Sequence, residues 1–233
     1  MRIWEVFPEI AEAVRRKHGE VGLFGHHDWY HAFRVGEVAR QISLDEWSDE
    51  RLSHLTGLAG LAHNADHIIY HVLGREKYKT SPDTNQKVLD LIGSWLSSSM
   101  LKPFEKETVV DAVLNHQAKN MPGDSNVLIA LKDADRVVNF DEDVIARSGQ
   151  NYPNVPVVDY RYFLDNPDAT FREPGSVMKD LANCFDWVNP KTLFCVRTRL
   201  GRKMAEERAV YLRDYLERVK SRLTEIGLCP YPF

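Results

Sequence analysis

Apolar side chains recur every third or fourth position along most of the chain, the spacing of amphipathic helices, and no stretch alternates as a strand would. Trp4 to Lys17 reads as a first helix stopped by Gly19. A turn, GLFGHHD, leads into a second helix at about 28–43, and a third runs at about 50–72. Ser81 and Pro82 pair as N-cap and first-turn residue for a fourth, carried by Val88, Leu89, Ile92 and Trp95. Pro103 opens a fifth that ends at His116, and Asp124 or Ser125 caps a sixth, NVLIALKDADRVVNF. Asn189-Pro190 begins a final stretch to about Glu225, with Gly201 at a bend or break. Between 149 and 175 the periodicity dissolves into Pro153, Pro156, Pro167 and Pro174, interleaved with Tyr152, Tyr160, Tyr162, Phe163 and Phe171. Irregular loops of this length often act as lids, and the competing reading is a surface excursion packed by its aromatics. The expected fold is all-α: one helical-bundle domain over 1–233, with a core at about 25–150, the loop at 149–175 and C-terminal helices at about 176–226.

Polar residues interrupt these apolar faces at four places. In GLAHNADHII, Leu61, Ala62, Ala65, Ile68 and Ile69 would build a buried face, yet His63, Asn64, Asp66 and His67 stand among them. At about 100° per residue, an unbroken helix puts His63, Asp66 and His67 on one side, with Asn64 at its edge. HHDWYHAFRV repeats the theme, with His27 and His31 one turn apart; VVDAVLNHQAKN carries His116, and LKDADRV carries Asp133 and Asp135. A lone histidine on an apolar helix is more often a hydrogen-bonded core residue than a ligand. Four such groups on successive helices change the weighting, because buried charge is costly unless paired or bound to metal. Imidazole and carboxylate from facing helices suit a divalent ion held in a bundle core.

Composition narrows the partners. With 30 basic against 34 acidic residues and a net charge of −4, no basic stripe marks a nucleic-acid polymer as the ligand. Cys184, Cys195 and Cys229 show no CxxC spacing, which argues against a disulfide framework or a zinc-thiolate site and for a reducing, cytoplasmic setting. No apolar run approaches the ~18 residues of a membrane span, and the N-terminus lacks the apolar core of a signal peptide.

Taken in order, His31 in HDWYHAFRV, His63 in GLAHNAD, His116 in VLNHQ and Asp135 in LKDADRV resemble the signature of the HD-domain metal-dependent phosphohydrolases. Arg34-Val35 after the first histidine, IARSG at 145–149 and GRKMAEER at 201–208 are similar to flanks found in small bacterial members, so the resemblance spans about residues 25–220. It implies that His31, His63 and Asp135 hold a divalent ion (Mn, Mg, Fe, Co, Ni or Zn). Asp135 is preferred to Asp133 because a basic residue, Arg136, follows it. His116 matches a position that binds a second metal or the substrate phosphate, and His67 falls where many members carry a lysine. Asp66 would orient a water. Arg34 and Arg147 are candidates for the phosphate, with Arg202, Lys203 and Arg208 weaker ones whose alternative is a solvated basic face. The implied activity is hydrolysis of a small phosphorylated metabolite, a nucleotide or another phosphomonoester.

One residue departs from the signature: the doublet is His63-Asn64, where the family has His-Asp. A neutral amide binds a divalent ion more weakly than a carboxylate and bridges two ions poorly. Three readings follow: a weaker mononuclear site, replacement of the missing charge by Asp66, or a binding or regulatory protein that has lost catalysis. An oxygenase using two irons is disfavoured, since it needs a strong bridging carboxylate. Trp29, Tyr30 and Phe33 are assigned to packing, Tyr160 and Tyr162 to packing ahead of base stacking, and Lys17, His18 and His54 to no functional role.

Overall fold

A computed structural model describes residues 1–74 and 82–229, and among these there is no strand. The helices are α1 (Ile3–Val6), α2 (Pro8–Val21), α3 (Trp29–Trp47), α4 (Glu50–Ala62), α5 (Ala65–Leu73), α6 (Pro82–Leu96), α7 (Pro103–Asn115), α8 (Asn126–Val138), α9 (Val144–Asn151), α10 (Val177–Asn183) and α11 (Arg199–Glu225). The all-α expectation holds. No helix among the described residues is long and apolar enough to cross a membrane. The Ser81 cap expected before Pro82 lies outside the described residues.

Several boundaries differ from the periodicity. The first helix is two, parted at Phe7 because Pro8 begins a new first turn, and α2 runs through Gly19 to a left-handed cap at Gly22. The helix expected over 50–72 breaks at His63-Asn64 into α4 and α5. Of the two candidate caps for α8, Ser125 takes the position, its hydroxyl accepting from the Leu128 amide, while Asp124 accepts from Lys132 Nζ at 2.9 Å. The last long helix starts at Arg199 rather than at Pro190, and Gly201 lies in its first turn, packed against Thr198 and Val196, with no break. α9 extends helix to Asn151, taking in the first three residues of the expected loop.

The centre of the bundle is α3, packed chiefly on α4 and α8. Its crossing with α4 is a backbone contact. A Cβ added to Gly60 would lie 2.6 Å from Gly36 Cα and 2.7 Å from Gly36 N, and one on Gly36 would lie 2.9 Å from Gly57 O. Glycine at 36 and 60 lets the two helices touch there, five residues after His31 and three before His63. α8 lies against both, and α11 closes the far side through the stripe Ala205, Ala209, Leu212 and Leu216. Asp133, fully buried on α8, accepts from the amides of Arg197 (2.9 Å) and Thr198 (2.7 Å), which fixes where α11 begins.

Gly60→Ala is expected to destabilise the fold by about 2 kcal/mol or more, since its methyl meets backbone that cannot yield. Gly93→Ala, at an exposed α6 position with nothing within 4 Å, is expected to stabilise it by ~0.5–1 kcal/mol. Urea denaturation of the two variants checks the contrast, and equal effects would contradict the close crossing.

Candidate metal centre

Four helix ends converge. His31 stands in the first turn of α3, with its amide accepted by the N-cap carboxylate of Asp28 at 2.7 Å. His63 and His116 are the C-cap residues of α4 and α7, and Asp135 lies in the last turn of α8. Helix ends leave carbonyls without intrahelical partners. His63 Nδ1 donates to Gly60 O and His116 Nδ1 to Val113 O, each at 2.7 Å and each three residues back. The same bond caps the helix and fixes the tautomer, so that Nε2 of each ring carries a lone pair. The His31 and His63 rings lie 5.1 Å apart, and those of His63 and His116 5.3 Å.

His31 Nε2 is 3.0 Å and His63 Nε2 3.9 Å from Asp135 Oδ1. One ligand atom from each of His31, His63 and Asp135 falls within 4.8 Å of the others. His63 Nε2 is buried without a hydrogen-bond partner among the described residues. Burial pushes the His63 imidazole down to about 3 and lowers His31 as well, although the Asp135 hydrogen bond opposes the shift at His31. Burial also works against ionising Asp135, but the His31 hydrogen bond and the facing imidazoles outweigh it and hold the carboxyl well below its ordinary range. Two buried imidazoles facing one carboxylate, with the His63 nitrogen left unbonded among the described residues, make a donor set that fits a divalent cation once His31 Nε2 gives up its proton.

Asn64 is fully buried and engaged elsewhere. Its Nδ2 donates to His27 O at 3.1 Å, with Asp28 O and His18 Nε2 each at 3.4 Å. Its Oδ1 lies 3.3 Å from His27 Nδ1. His18 Nδ1 donates to Val14 O at 2.8 Å, and burial keeps that ring neutral, which leaves Nε2 as an acceptor. Three acceptors therefore surround the Asn64 nitrogen, a place a carboxylate cannot fill. His18, to which the sequence assigned no function, is one of them.

The helix break rearranges the other α5 residues. The His67 ring stacks on His27 at 3.4 Å between centroids. Gln117 Nε2 donates to Asp66 Oδ2 at 3.0 Å and lies 2.8 Å from His67 Nε2. Burial raises the Asp66 carboxyl. Arg147 is buried and donates to Asn139 Oδ1, Val138 O and Asp143, and its Nη1 lies 3.4 Å from His31 Nδ1. Arg34 pairs with Asp143 at 2.8 Å and Asp141 at 3.3 Å, and Arg208 also pairs with Asp141. Arg202 and Lys203 are exposed.

A cavity of about 370 Å³ opens beside the cluster, lined by His63, His67, His116 and Asp135 but not by Asn64, Arg34 or Arg147. Its other walls include Arg136, Arg172, Tyr152, Phe171, Trp187 and Phe194. Of these, Arg136 carried a sequence signal through its place after Asp135, and Tyr152 and Phe171 through the aromatic-rich irregular stretch; Arg172, Trp187 and Phe194 carried none. Tyr152, Phe171 and Arg172 bring the irregular segment onto the site, anchored by the buried Phe163 and by Val177 N and Met178 N donating to Pro156 O and Val157 O at 3.0 Å. Tyr160 is exposed and does not line the cavity.

Residues 28–139 match the family model of the HD domain. The fold matches the crystal structure of an HD-superfamily hydrolase from Bacillus thuringiensis with a TM-score of 0.60 at 18% identity, over 95% of this chain and 98% of that one. No curated protein matches the chain. The resemblance read from His31, His63, His116 and Asp135 thus agrees with an HD domain over residues 28–139, and the structural match extends the likeness of fold to nearly the whole chain.

His63 gives a pH dependence. Its folded value of about 3 lies below the ordinary 6.5, so between these the unfolded chain binds a proton that the folded chain refuses. Stability of the chelator-treated protein should therefore be insensitive to this ring above pH 6.5 and fall by about 1.4 kcal/mol per pH unit below it. Urea denaturation at pH 7 and 5 checks this, and His63→Gln should flatten the slope.

Proposed function

We propose that this chain, which carries an HD domain over residues 28–139, is a metal-dependent phosphohydrolase acting on a small phosphorylated metabolite, a nucleotide or another phosphomonoester. The observation that carries the reading is the His31, His63 and Asp135 cluster bordering a cavity that also presents arginine and aromatic side chains. His31, His63 and Asp135 would hold the ion, with His116 beside them. The ion, when bound, supplies a water acidified towards neutrality and positive charge for a phosphoryl oxygen. Arg136 and Arg172 line the cavity and place cationic groups where an anionic substrate enters. Arg136 is held by Asn120 Oδ1 at 2.8 Å and Cys195 O at 3.2 Å, so its charge is fixed in position. Phe171, Trp187 and Phe194 offer apolar surface for the organic part of the substrate and displace water from it. No polymeric nucleic acid or membrane is needed as a partner, and a cytoplasmic location is part of the proposal.

The test is metal content followed by turnover. Elemental analysis of the purified chain, then a screen of phosphomonoesters with manganese, cobalt, nickel, iron, zinc or magnesium added after chelation, should find bound metal and metal-restored hydrolysis. Asp135→Ala should lose both, with turnover down by at least ~10²-fold. Full retention of metal in that variant would remove the basis of the assignment.

Asn64 favours a second reading, a binding or regulatory protein of the same fold, because the amide supplies no charge to an ion. Asn64→Asp separates the two. The carboxylate would face His27 O, Asp28 O and a neutral His18, so the variant should lose about 1–3 kcal/mol of stability and gain no metal affinity. If it instead bound metal more tightly and turned over esters that the native chain ignores, the native protein would be the binder.

A further inference from the structure

We propose that His26 is the proton donor to the leaving group, poised by Asp180 and Ser148. The three come from separate elements: a 3₁₀ turn at Gly25–His27 that enters α3, then α10 and α9. His26 Nε2 lies 3.3 Å from Asp180 Oδ2, and the buried Ser148 hydroxyl donates to that same oxygen at 2.6 Å. His26 and Asp180 line the cavity that the metal cluster borders. His26 Nδ1 is buried with no hydrogen-bond partner among the described residues.

The turn is seated on α9 by Gly25. Its φ is +72°, and a Cβ there would lie 3.2 Å from Arg147 O and 3.3 Å from Asn151 N. That contact holds the His26 backbone against the same helix that supplies Ser148. The Asp180 carboxylate accepts the proton at Nε2 and fixes the ring's orientation, which leaves Nδ1 as the exchanging atom. The other imidazoles at the cavity each have one nitrogen engaged elsewhere: His116 Nδ1 with Val113 O, His63 Nδ1 with Gly60 O, His27 Nδ1 at 3.3 Å from Asn64 Oδ1, and His67 Nε2 at 2.8 Å from Gln117 Nε2.

The step rests on the phosphohydrolase reading. Water adds its oxygen to phosphorus and releases one proton to solvent, while the bond from phosphorus to the ester oxygen breaks with its electron pair passing to that oxygen. His26 Nδ1–H protonates the oxygen, Nε2–H stays hydrogen-bonded to Asp180, and the neutral ring recovers its proton from solvent. His26 is the catalytic group; Asp180 and Ser148 are positioning residues.

Proton donation matters most when the leaving oxygen is a strong base, so the experiment compares two esters. The metal-loaded full chain, His26→Gln and Asp180→Asn are assayed on phenyl phosphate and p-nitrophenyl phosphate, with metal content and thermal melting measured alongside. Expected is a loss in kcat of about 10²-fold or more for His26→Gln on phenyl phosphate, a loss at least tenfold smaller on the p-nitrophenyl ester, and unchanged metal content. Asp180→Asn should show the same selectivity with a smaller loss, and it carries the test if His26→Gln does not fold. Equal losses on both esters, or no loss, would overturn the proton-donor role and leave the hydrolase reading standing. Failure of the wild-type protein to hydrolyse either ester would overturn both.

Discussion

Two helices that touch through glycine govern where the chemistry sits. Because Gly36 and Gly60 carry no side chains, α3 and α4 approach to backbone contact, and the imidazoles at the near ends of both helices come within one ring width of each other. With α8 laid across both, its last turn delivers Asp135 to the same point. A bulkier side chain at either glycine would part the helices by more than a cation's coordination distance tolerates. The cluster is thus a consequence of close packing several residues away.

Polar groups inside this core are tolerated because each answers a need of the backbone. His63 and His116 satisfy carbonyls at the ends of α4 and α7, and in doing so present their second nitrogens with lone pairs in place. Asn64 occupies the gap between α4 and α5 and ties it to the turn that precedes α3. The residue that departs from the family doublet is therefore part of the scaffold that holds His27 and the start of α3. Its amide is chosen by three acceptors around one nitrogen, and the negative charge of the cluster rests on Asp135.

The cavity joins two parts of the chain. The region matching the HD family supplies the ligand cluster and Arg136, while the segment after Asn139 supplies Phe171, Trp187, Phe194 and Asp180, the last held from behind by Ser148. This division separates the groups that suit a cation from those that shape what can enter, and it puts the His26–Asp180 pair at the seam.

The all-α fold, the start of α7 at Pro103 and a cap for α8 at Asp124 or Ser125 were legible in the amino-acid sequence, because helix periodicity is a local property of residue type and spacing; the set His31, His63, His116 and Asp135 was legible through its resemblance to a known ordered signature. So was the oddity of Asn64, though not its meaning. Periodicity ran α4 and α5 together, since the apolar spacing continues across a break made by hydrogen bonds to residues 37 positions away. The resemblance offered Arg34 and Arg147 for the phosphate, whereas their guanidinium groups pair with Asp141, Asp143 and Asn139. Sequence alone determined which chemical groups the core would contain; tertiary structure decided which atoms of those groups face one another. That choice depends on where helices cross and end, and on which distant carbonyl claims each donor first.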